Sequence, residues 1–292
     1  MGTSCAAGWL ILMEETTSSM PSGGESSLEL AGELRLHELQ SRIFRNTRML
    51  RVWLPPGYNA PENQDRHYPV FYLNDGQNLF DPATAYMGVD WQADEAADRL
   101  IRENRIPPLI LAGIDNAQKD RAREYLPYRS FNPPVMRPQG KRYPDFLLNE
   151  VMPFLYRHYR IARGPENTGL GGSSLGAIVS LYSAMARPRI FGRLLLESPS
   201  LFLFNRRFLK SSRAFRQWPD KIFMAMGTNE AGSKERDRQV VEDVRVLERV
   251  LRRAGLREDR LLVRIDEGAT HNEREWGKRF PDALTFLFGV SS

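Results

Sequence analysis

Two serines flanked by glycines stand in the stretch TGLGGSSLGAIVSLY. The spacing G-x-S-x-G fits only one register, Gly172, Ser174 and Gly176, and Ser173 does not fit it. A serine nucleophile on a tight strand-to-helix turn needs glycine two positions away on each side, because a Cβ at either place would clash with the strained turn. Ser174 is therefore the candidate nucleophile. The alternative interpretation is a glycine-rich turn without chemistry.

A serine hydroxyl is a weak nucleophile at neutral pH and requires a positioned base, for which histidine is the usual residue. His37 falls on a predicted N-terminal strand, His67 in a polar loop, and His158 at the end of a predicted helix. His271 lies in DEGATHNEREW, a predicted loop between the last strand and the last helix. It follows the serine in the chain order that is typical of hydrolases whose serine lies on a strand-to-helix turn, so His271 is the candidate base. The alternative interpretation is a surface histidine in a loop.

The third member of such a site is an acid between the serine and the histidine in sequence, which holds the imidazole in the required tautomer. Glu230, in the loop that ends FMAMGTNE, is the preferred candidate. Asp266 is the rival, because it ends the predicted last strand. Glu235 and Asp237 are weaker candidates, since the charges in that stretch are typical of a solvated helix face.

The elements around these residues alternate between strands and helices. GELRLHELQS and RMLRVWLPPGY alternate apolar and polar residues, which predicts an antiparallel pair of strands at the start of the domain. YPVFYLND and PPLILAGID are continuous apolar runs typical of buried strands, with the helical pattern DWQADEAADRLIREN between them. A strand, helix, strand sequence predicts parallel strands joined by a crossover.

The same alternation continues to the end of the chain. Further predicted strands are ENTGLGG, FGRLLLESP, DKIFMAMGTNE and RLLVRID, and further predicted helices are PDFLLNEVMPFLYRHY, GAIVSLYSAMARP, RQVVEDVRVLERVLRRAG and PDALTFLFG. Gly255 is placed to end the third of these helices. The predicted fold is α/β, with a mostly parallel central sheet, helices on both faces and antiparallel N-terminal strands.

Length and composition indicate a globular protein with one large domain. The chain has 292 residues, of which 41% are hydrophobic and 26% charged, and a net charge of +5. Its basic residues are spread along the chain and stand close to acidic ones, a pattern that argues against nucleic-acid binding. The single cysteine, Cys5, excludes an intramolecular disulfide and a cysteine-based metal site.

The N-terminal 27 residues are rich in Ser, Gly and Glu and are predicted to be a disordered tail, followed by one catalytic domain over 28–292. Their apolar run is short, has no basic residue before it and is followed by acidic residues, which is unlike a signal peptide or a membrane span. We therefore expect a cytoplasmic protein with no membrane insertion; self-association is left open.

The motifs, taken together, resemble one known family. They are RVWLPPGY, YPVFYLNDGQNLFD, GIDNAQKDRAREYLPY, GLGGSSLGAIVSLY, MGTNE and HNEREW. The sequence from about Gly32 to Gly289 is similar to the Putative esterase family, an α/β-hydrolase branch that includes feruloyl and acetylxylan esterases, siderophore esterases, S-formylglutathione hydrolases and mycolyltransferases. The resemblance implies an α/β-hydrolase fold with Ser174 as nucleophile, His271 as base and Glu230 as acid.

The resemblance also implies an oxyanion hole. One backbone amide would come from Leu175, directly after the nucleophile, and the other from Gln77 in the loop NDGQN after the third strand. Many relatives have a His-Gly pair where this sequence has Asp75-Gly76, which looks like the siderophore-esterase side of the family. This departure leaves the second oxyanion donor open.

Aromatic residues near the expected mouth of the site are candidates for substrate binding. Phe80, Trp91 and Trp276 could stack on a phenolic acyl group or a sugar, although core packing explains any one of them equally well.

The residues and the resemblance together predict a serine esterase that hydrolyses small-molecule carboxylic esters through an acyl-enzyme, without metal or organic cofactor. An acyltransferase that uses the same serine is an alternative. A non-catalytic binding protein on the same fold is another, and it predicts that one of the three site residues is missing.

Overall fold

The computed structural model describes residues 32–131 and 134–289, so the tail predicted for residues 1–27 lies outside the described residues. The strands are β1 (Glu33–Ser41), β2 (Asn46–Leu54), β3 (Val70–Asn74), β4 (Ile110–Ile114), β5 (Ser130–Phe131), β6 (Pro134–Val135), β7 (Thr168–Ser173), β8 (Arg193–Glu197), β9 (Lys221–Asn229) and β10 (Leu261–Thr270). The helices are α1 (Ala93–Arg102), α2 (Arg121–Tyr125), α3 (Tyr143–Phe146), α4 (Met152–His158), α5 (Leu175–Ala186), α6 (Leu203–Ser212), α7 (Lys234–Arg253) and α8 (Glu273–Phe288).

Eight of these strands form one sheet in the order β1-β2-β4-β3-β7-β8-β9-β10. β1 pairs antiparallel with β2, β2 pairs antiparallel with β4, and every later neighbour pairs parallel. The predicted fold, a mostly parallel sheet opened by antiparallel strands, is confirmed.

Helices cover both faces of the sheet and bury two apolar clusters. Val70 and Tyr72 of β3 belong to the cluster beneath α3, α4, α5 and α7, whereas Phe71 and Leu73 belong to the cluster beneath α1 and α8. Successive residues of a strand point to opposite faces, so a strand that is covered on both sides must be apolar throughout. Within the described residues, no helix combines the length and apolar character that crossing a bilayer requires.

Prolines make two of the helices differ from their predictions. The helix predicted over PDFLLNEVMPFLYRHY contains a π-helical turn, Leu147–Val151, between α3 and α4. Pro153 lacks a backbone N–H, and its ring would clash with the carbonyl four residues earlier in a regular α-helix. The wider turn, in which the Met152 amide donates to the Leu147 carbonyl, accommodates the proline.

The last helix was predicted to begin at PDALTFLFG, but α8 begins eight residues before Pro281 and runs through it. The Asn272 side chain caps its N-terminus by accepting a hydrogen bond from the Glu275 amide at 3.1 Å. Trp276 and Phe280 extend the buried apolar face of the helix toward this cap. The cap and the longer apolar face outweigh the preference of proline for a first turn.

Helix α6 was not predicted from the sequence. This helix contains left-handed backbone at Phe204, Asn205 and Arg206, with φ between 51° and 56°. Each such residue other than glycine costs about 1 to 2 kcal/mol. Arg206 is held by an ion pair of 2.8 Å with the buried Asp243 of α7.

The carboxyl ends of the parallel strands meet at one edge of the sheet, which is where ligands bind in open α/β sheets. Asp75 follows β3, Ser174 follows β7, Ser198 follows β8, Glu230 follows β9 and His271 follows β10. The topology therefore gathers the residues that the sequence singled out, together with residues it did not.

Candidate active site

Ser174 lies on a strained turn between β7 and α5, with φ of 55° and ψ of −116°. Its amide donates to the carbonyl of Glu197 at 2.9 Å. A Cβ added at Gly172 would lie 3.1 Å from the Asn74 Cβ, and one at Gly176 would lie 2.9 Å from the Asp75 carboxylate. The two glycines thus allow the tight approach that the sequence pattern predicted. Ser173, by contrast, is buried within β7.

Ser174 and His271 line one cavity of about 620 Å³, which we call the Ser174 cavity. His271 directly follows β10, and its ring is about one-third exposed. Its Nδ1 lies 2.8 Å from Oε2 of Glu230, and the ring of Trp276 stands edge-on to it at 5.0 Å between centroids. A proton on Nδ1 that bonds the carboxylate leaves Nε2 free to act as a base.

The side chain of Glu230 is only 2% exposed and uses both carboxylate oxygens. Oε2 faces His271, while Oε1 accepts hydrogen bonds from the Ser198 hydroxyl at 2.7 Å and from the Gly227 amide. A Cβ added at Gly227 would lie 2.2 Å from the Ala269 carbonyl and 2.9 Å from Oε1 of Glu230. Glycine at this position therefore lets the carboxylate fold back over the end of β9.

The rival acids have other partners. Asp266 lies within β10 and forms ion pairs with Arg264 at 2.7 Å and with Arg279 at 3.5 Å. Asp237 accepts a hydrogen bond from the Ala231 amide, and Glu235 is exposed on the first turn of α7. Of the four candidates, Glu230 is the one that contacts the imidazole.

The other histidines are engaged elsewhere. His37 bonds the Tyr159 hydroxyl at 2.5 Å, Nδ1 of His158 lies 2.8 Å from the Phe154 carbonyl, and His67 lies 3.1 Å from the Asp65 carbonyl.

A buried polar cluster centred on Ser198, which was not predicted from the sequence, lies behind Glu230. The Ser198 hydroxyl accepts from Nε1 of Trp276 at 2.8 Å and from Nη2 of Arg279 at 3.4 Å. Trp and Arg side chains can only donate, so the single proton of Ser198 is directed to Oε1 of Glu230. This leaves Oε2 for His271.

Arg279 is itself anchored by an ion pair of 2.9 Å with Glu197, and both side chains are fully buried. Burial raises the pKa of Glu197 to about 7, against the opposing attraction of Arg279; the nearby carboxylates of Glu230 and Asp266 raise it further. The sequence signal was a glutamate that ends the otherwise apolar run LLLE, a position where a buried charge needs a partner. The partner, 82 residues away, could not be read from spacing.

The predicted oxyanion donors lie in different surroundings. Leu175 lines the Ser174 cavity. Because it is the first residue of α5, its amide has no intrahelical acceptor. Gln77 is buried in a 3₁₀ turn, and its side chain accepts from the Asn116 amide at 3.1 Å. Gln77 is not one of the described residues that line the Ser174 cavity. The assignment of both amides stays a prediction.

The turn that carries Gln77 is fixed by Asp75, which has left-handed backbone with φ of 61°. The Arg121 guanidinium bonds both oxygens of Asp75, at 2.7 and 2.8 Å, and Asn116 donates to the same carboxylate at 2.6 Å. Arg121 also lines the Ser174 cavity. The Asp75-Gly76 departure from the common His-Gly pair thus corresponds to an ion pair at the edge of the site.

The prediction that Phe80, Trp91 and Trp276 line the mouth of the site is wrong. All three are buried in the apolar cluster beneath α1 and α8, and none is among the described residues that line the Ser174 cavity. Trp276 instead holds Ser198 and contacts His271. The apolar lining is mainly aliphatic: Leu175, Pro199, Phe202, Leu203, Met226 and Val240.

Comparisons with known proteins agree with this architecture. The profile of the protein family described as "Putative esterase" matches residues 41–287. Family and fold together define a carboxylic-ester hydrolase. The chain belongs to the Putative esterase family.

The relatives differ widely in sequence. YbbA of Bacillus subtilis (strain 168), described as an uncharacterized protein, is 24% identical in an alignment of 271 positions that covers 89% of this chain and 98% of YbbA. An IroE-like serine hydrolase from Shewanella oneidensis superposes with a TM-score of 0.68 and 23% identity, over 88% of this chain and 80% of its own. A ferulic acid esterase from Anaeromyces mucronatus superposes with a TM-score of 0.63 and 22% identity, over 92% of this chain and 94% of its own. These likenesses show a shared fold.

Proposed function

We propose that Ser174, His271 and Glu230 are the catalytic triad of this esterase. The observation that carries the proposal is the 2.8 Å contact between Nδ1 of His271 and the buried carboxylate of Glu230, beside the cavity that Ser174 lines. An acid that is held on its other side by Ser198 and Gly227 fixes the orientation of the imidazole.

The reaction follows from these positions. Nε2 of His271 takes the proton of Ser174 as its Oγ attacks the ester carbonyl, and the Leu175 amide donates to the oxyanion. The carbonyl re-forms as the alcohol leaves with the proton from the imidazolium, which gives an acyl-enzyme on Ser174. Water then attacks with His271 again as base, and the acid is released. Glu230 stabilises the imidazolium during both steps.

The residues that line the Ser174 cavity favour an ester substrate whose carboxylic acyl group is of moderate size. Its aliphatic wall favours apolar contact with the acyl chain, while Ser200, whose Oγ lies 3.4 Å from that of Ser174, offers a polar contact near the ester.

Labelling with a neutral fluorophosphonate tests the nucleophile, because such reagents react with an activated serine. We expect one equivalent to bind and peptide mapping to find it on Ser174. Ser174→Ala should abolish labelling and ester hydrolysis, whereas Ser173→Ala should retain both and Ser200→Ala, which removes only the polar contact near the ester, should retain labelling. Label on Ser173 or Ser200, or equal loss in all three variants, would overturn the assignment.

A further inference from the structure

A second concavity of about 660 Å³ lies beside the Ser174 cavity, and we call it the basic cavity. Four exposed cations line it: Arg129, Arg137, Lys141 and Arg207. The half-buried rings of Tyr128 and Phe204 contribute aromatic lining. None of the described residues that line it is acidic.

Local structure brings these cations together from three segments. Ser130 pairs with Val135 in the β5–β6 hairpin, so Arg129 and Arg137 flank the same short ladder. Gly140 packs directly on Leu126, where a Cβ would lie 2.5 Å from the backbone, and this contact holds Lys141 next to the start of the hairpin segment.

The fourth cation comes from α6. The Arg207 guanidinium lies 3.9 Å from the centroid of the Tyr128 ring, and Nζ of Lys141 lies 5.4 Å from the same centroid. Two positive charges are therefore held around one ring.

Within the described residues, these four cations have no carboxylate partner, unlike several other arginines of the protein. In the part of the chain that the structure describes, none of them forms an ion pair, whereas Arg121, Arg187 and Arg264 each do. Like charges that converge without a counter-charge repel one another, so an anion that binds among them is attracted by all four.

Two chain segments connect the basic cavity with the Ser174 cavity. Phe202 and Leu203 line the Ser174 cavity, and the next residue, Phe204, lines the basic cavity. On the other side, Arg121 at the start of α2 lines the first cavity and Tyr128, just beyond the helix, lines the second. Consecutive Cα atoms are about 3.8 Å apart, so the walls of the two cavities meet at Leu203 and Phe204.

We propose that the substrate of this enzyme is an ester that carries an anionic group, a carboxylate or a phosphate, on the part of the molecule that extends from Ser174 into the basic cavity. Arg207 and Lys141 bind this group and thereby position the ester carbonyl at the nucleophile. The inference rests on the proposed function of Ser174, and it adds the charge of the substrate.

Matched chromogenic esters test the proposal. One series is the mono-p-nitrophenyl esters of dicarboxylic acids from succinic to sebacic acid, each compared with its methyl-capped neutral analogue. A second arm replaces the free carboxylate by a phosphate, which distinguishes the two sources of negative charge. We expect kcat/KM for the anionic ester to exceed that for the neutral one by about tenfold or more at the chain length that spans the cavities. The preference should weaken at high ionic strength.

The double variant Lys141→Gln/Arg207→Gln should lower this anionic-to-neutral ratio by about tenfold, mainly through KM. The matched control, Arg253→Gln/Arg257→Gln, removes two exposed charges at the far end of α7, whose 20 residues extend about 30 Å. It should leave the ratio as it is. A ratio near one at every chain length for both anions, or the same decrease in both double variants, would overturn the proposal.

Failure of the proposed function gives a different result, namely no hydrolysis of any ester and no fluorophosphonate labelling. Calorimetric titration of Ser174→Ala with monomethyl adipate and with hexyl phosphate measures the anion site without turnover. Binding that the Lys141→Gln/Arg207→Gln change abolishes supports the basic cavity as an anion site, and absence of binding by both compounds rejects it.

Discussion

Glu230 reaches His271 with one carboxylate oxygen, at 2.8 Å from Nδ1, and is held through the other by Ser198 at 2.7 Å. The acid therefore cannot rotate to exchange its two oxygens without breaking hydrogen bonds on both sides. An imidazole fixed in this way keeps Nε2 available, and in the proposed mechanism the polar cluster behind Glu230 positions the acid of the triad.

Replacing His271 by alanine should lower kcat by about 10³ to 10⁶, because the proton of Ser174 then has no acceptor. His158→Ala is the matched control, since His158 is an exposed histidine whose Nδ1 bonds the Phe154 carbonyl on α4. Steady-state hydrolysis of a chromogenic ester compares the two variants. A His271→Ala enzyme that retains near-normal turnover would show that another group is the base.

Trp276→Phe should lower kcat by about tenfold while KM changes little, because it removes the hydrogen bond that fixes the Ser198 hydroxyl but keeps an aromatic ring against His271. Trp91→Phe is the control: Trp91 packs in the same apolar cluster, and its Nε1 is buried without a hydrogen-bond partner among the described residues. Thermal unfolding of both variants separates loss of packing from loss of positioning. Equal kcat values in the two variants would argue against a role for the Ser198 cluster.

The buried Glu197 should make stability depend on pH. Burial raises its pKa to about 7 in the folded protein, above its ordinary value of 4.5. The folded state therefore holds this proton more tightly than the unfolded chain does, so the contribution of Glu197 to stability is fully present below pH 4.5 and is lost as the pH rises through about 7.

Glu197→Gln removes this titration. Relative to the parent protein, the variant should gain on the order of 3 kcal/mol in free energy of unfolding between pH 4.5 and about pH 8. Denaturant unfolding at several pH values measures this difference. A stability difference that stays constant with pH would contradict it.

The sequence predicted the sheet well because its parallel strands are buried on both faces and therefore appear as continuous apolar runs, as in VFYLN of β3. The placement of Ser174 was predictable for a similar reason, since a strained turn admits few residue types beside it. Glu230 was preferred over Asp266 because it lies in the predicted loop after the penultimate strand, and the structure places Glu230, not Asp266, against His271.

The features of the fold and the site that could not be predicted depend on contacts between distant parts of the chain. Arg279 and Glu197 are 82 residues apart, and no local pattern reports their pairing. Trp276 was mistaken for a wall residue because the start of α8 was predicted eight residues too late; only with the helix begun at Glu273 does Trp276 fall on its buried face.

The acid of the proposed triad offers the most direct test, because Glu230 and Asp266 are both carboxylates near the carboxyl edge of the sheet and only Glu230 contacts the histidine. The measurement is kcat for Glu230→Gln and for Asp266→Asn on the same ester, with KM determined in parallel. We predict that Glu230→Gln lowers kcat by about 10² to 10⁴ with little change in KM, since the charge that Glu230 stabilises develops chiefly in the transition state. Asp266→Asn should retain most of the activity. An inactive Asp266→Asn enzyme beside an active Glu230→Gln enzyme would contradict the account and place the acid on β10.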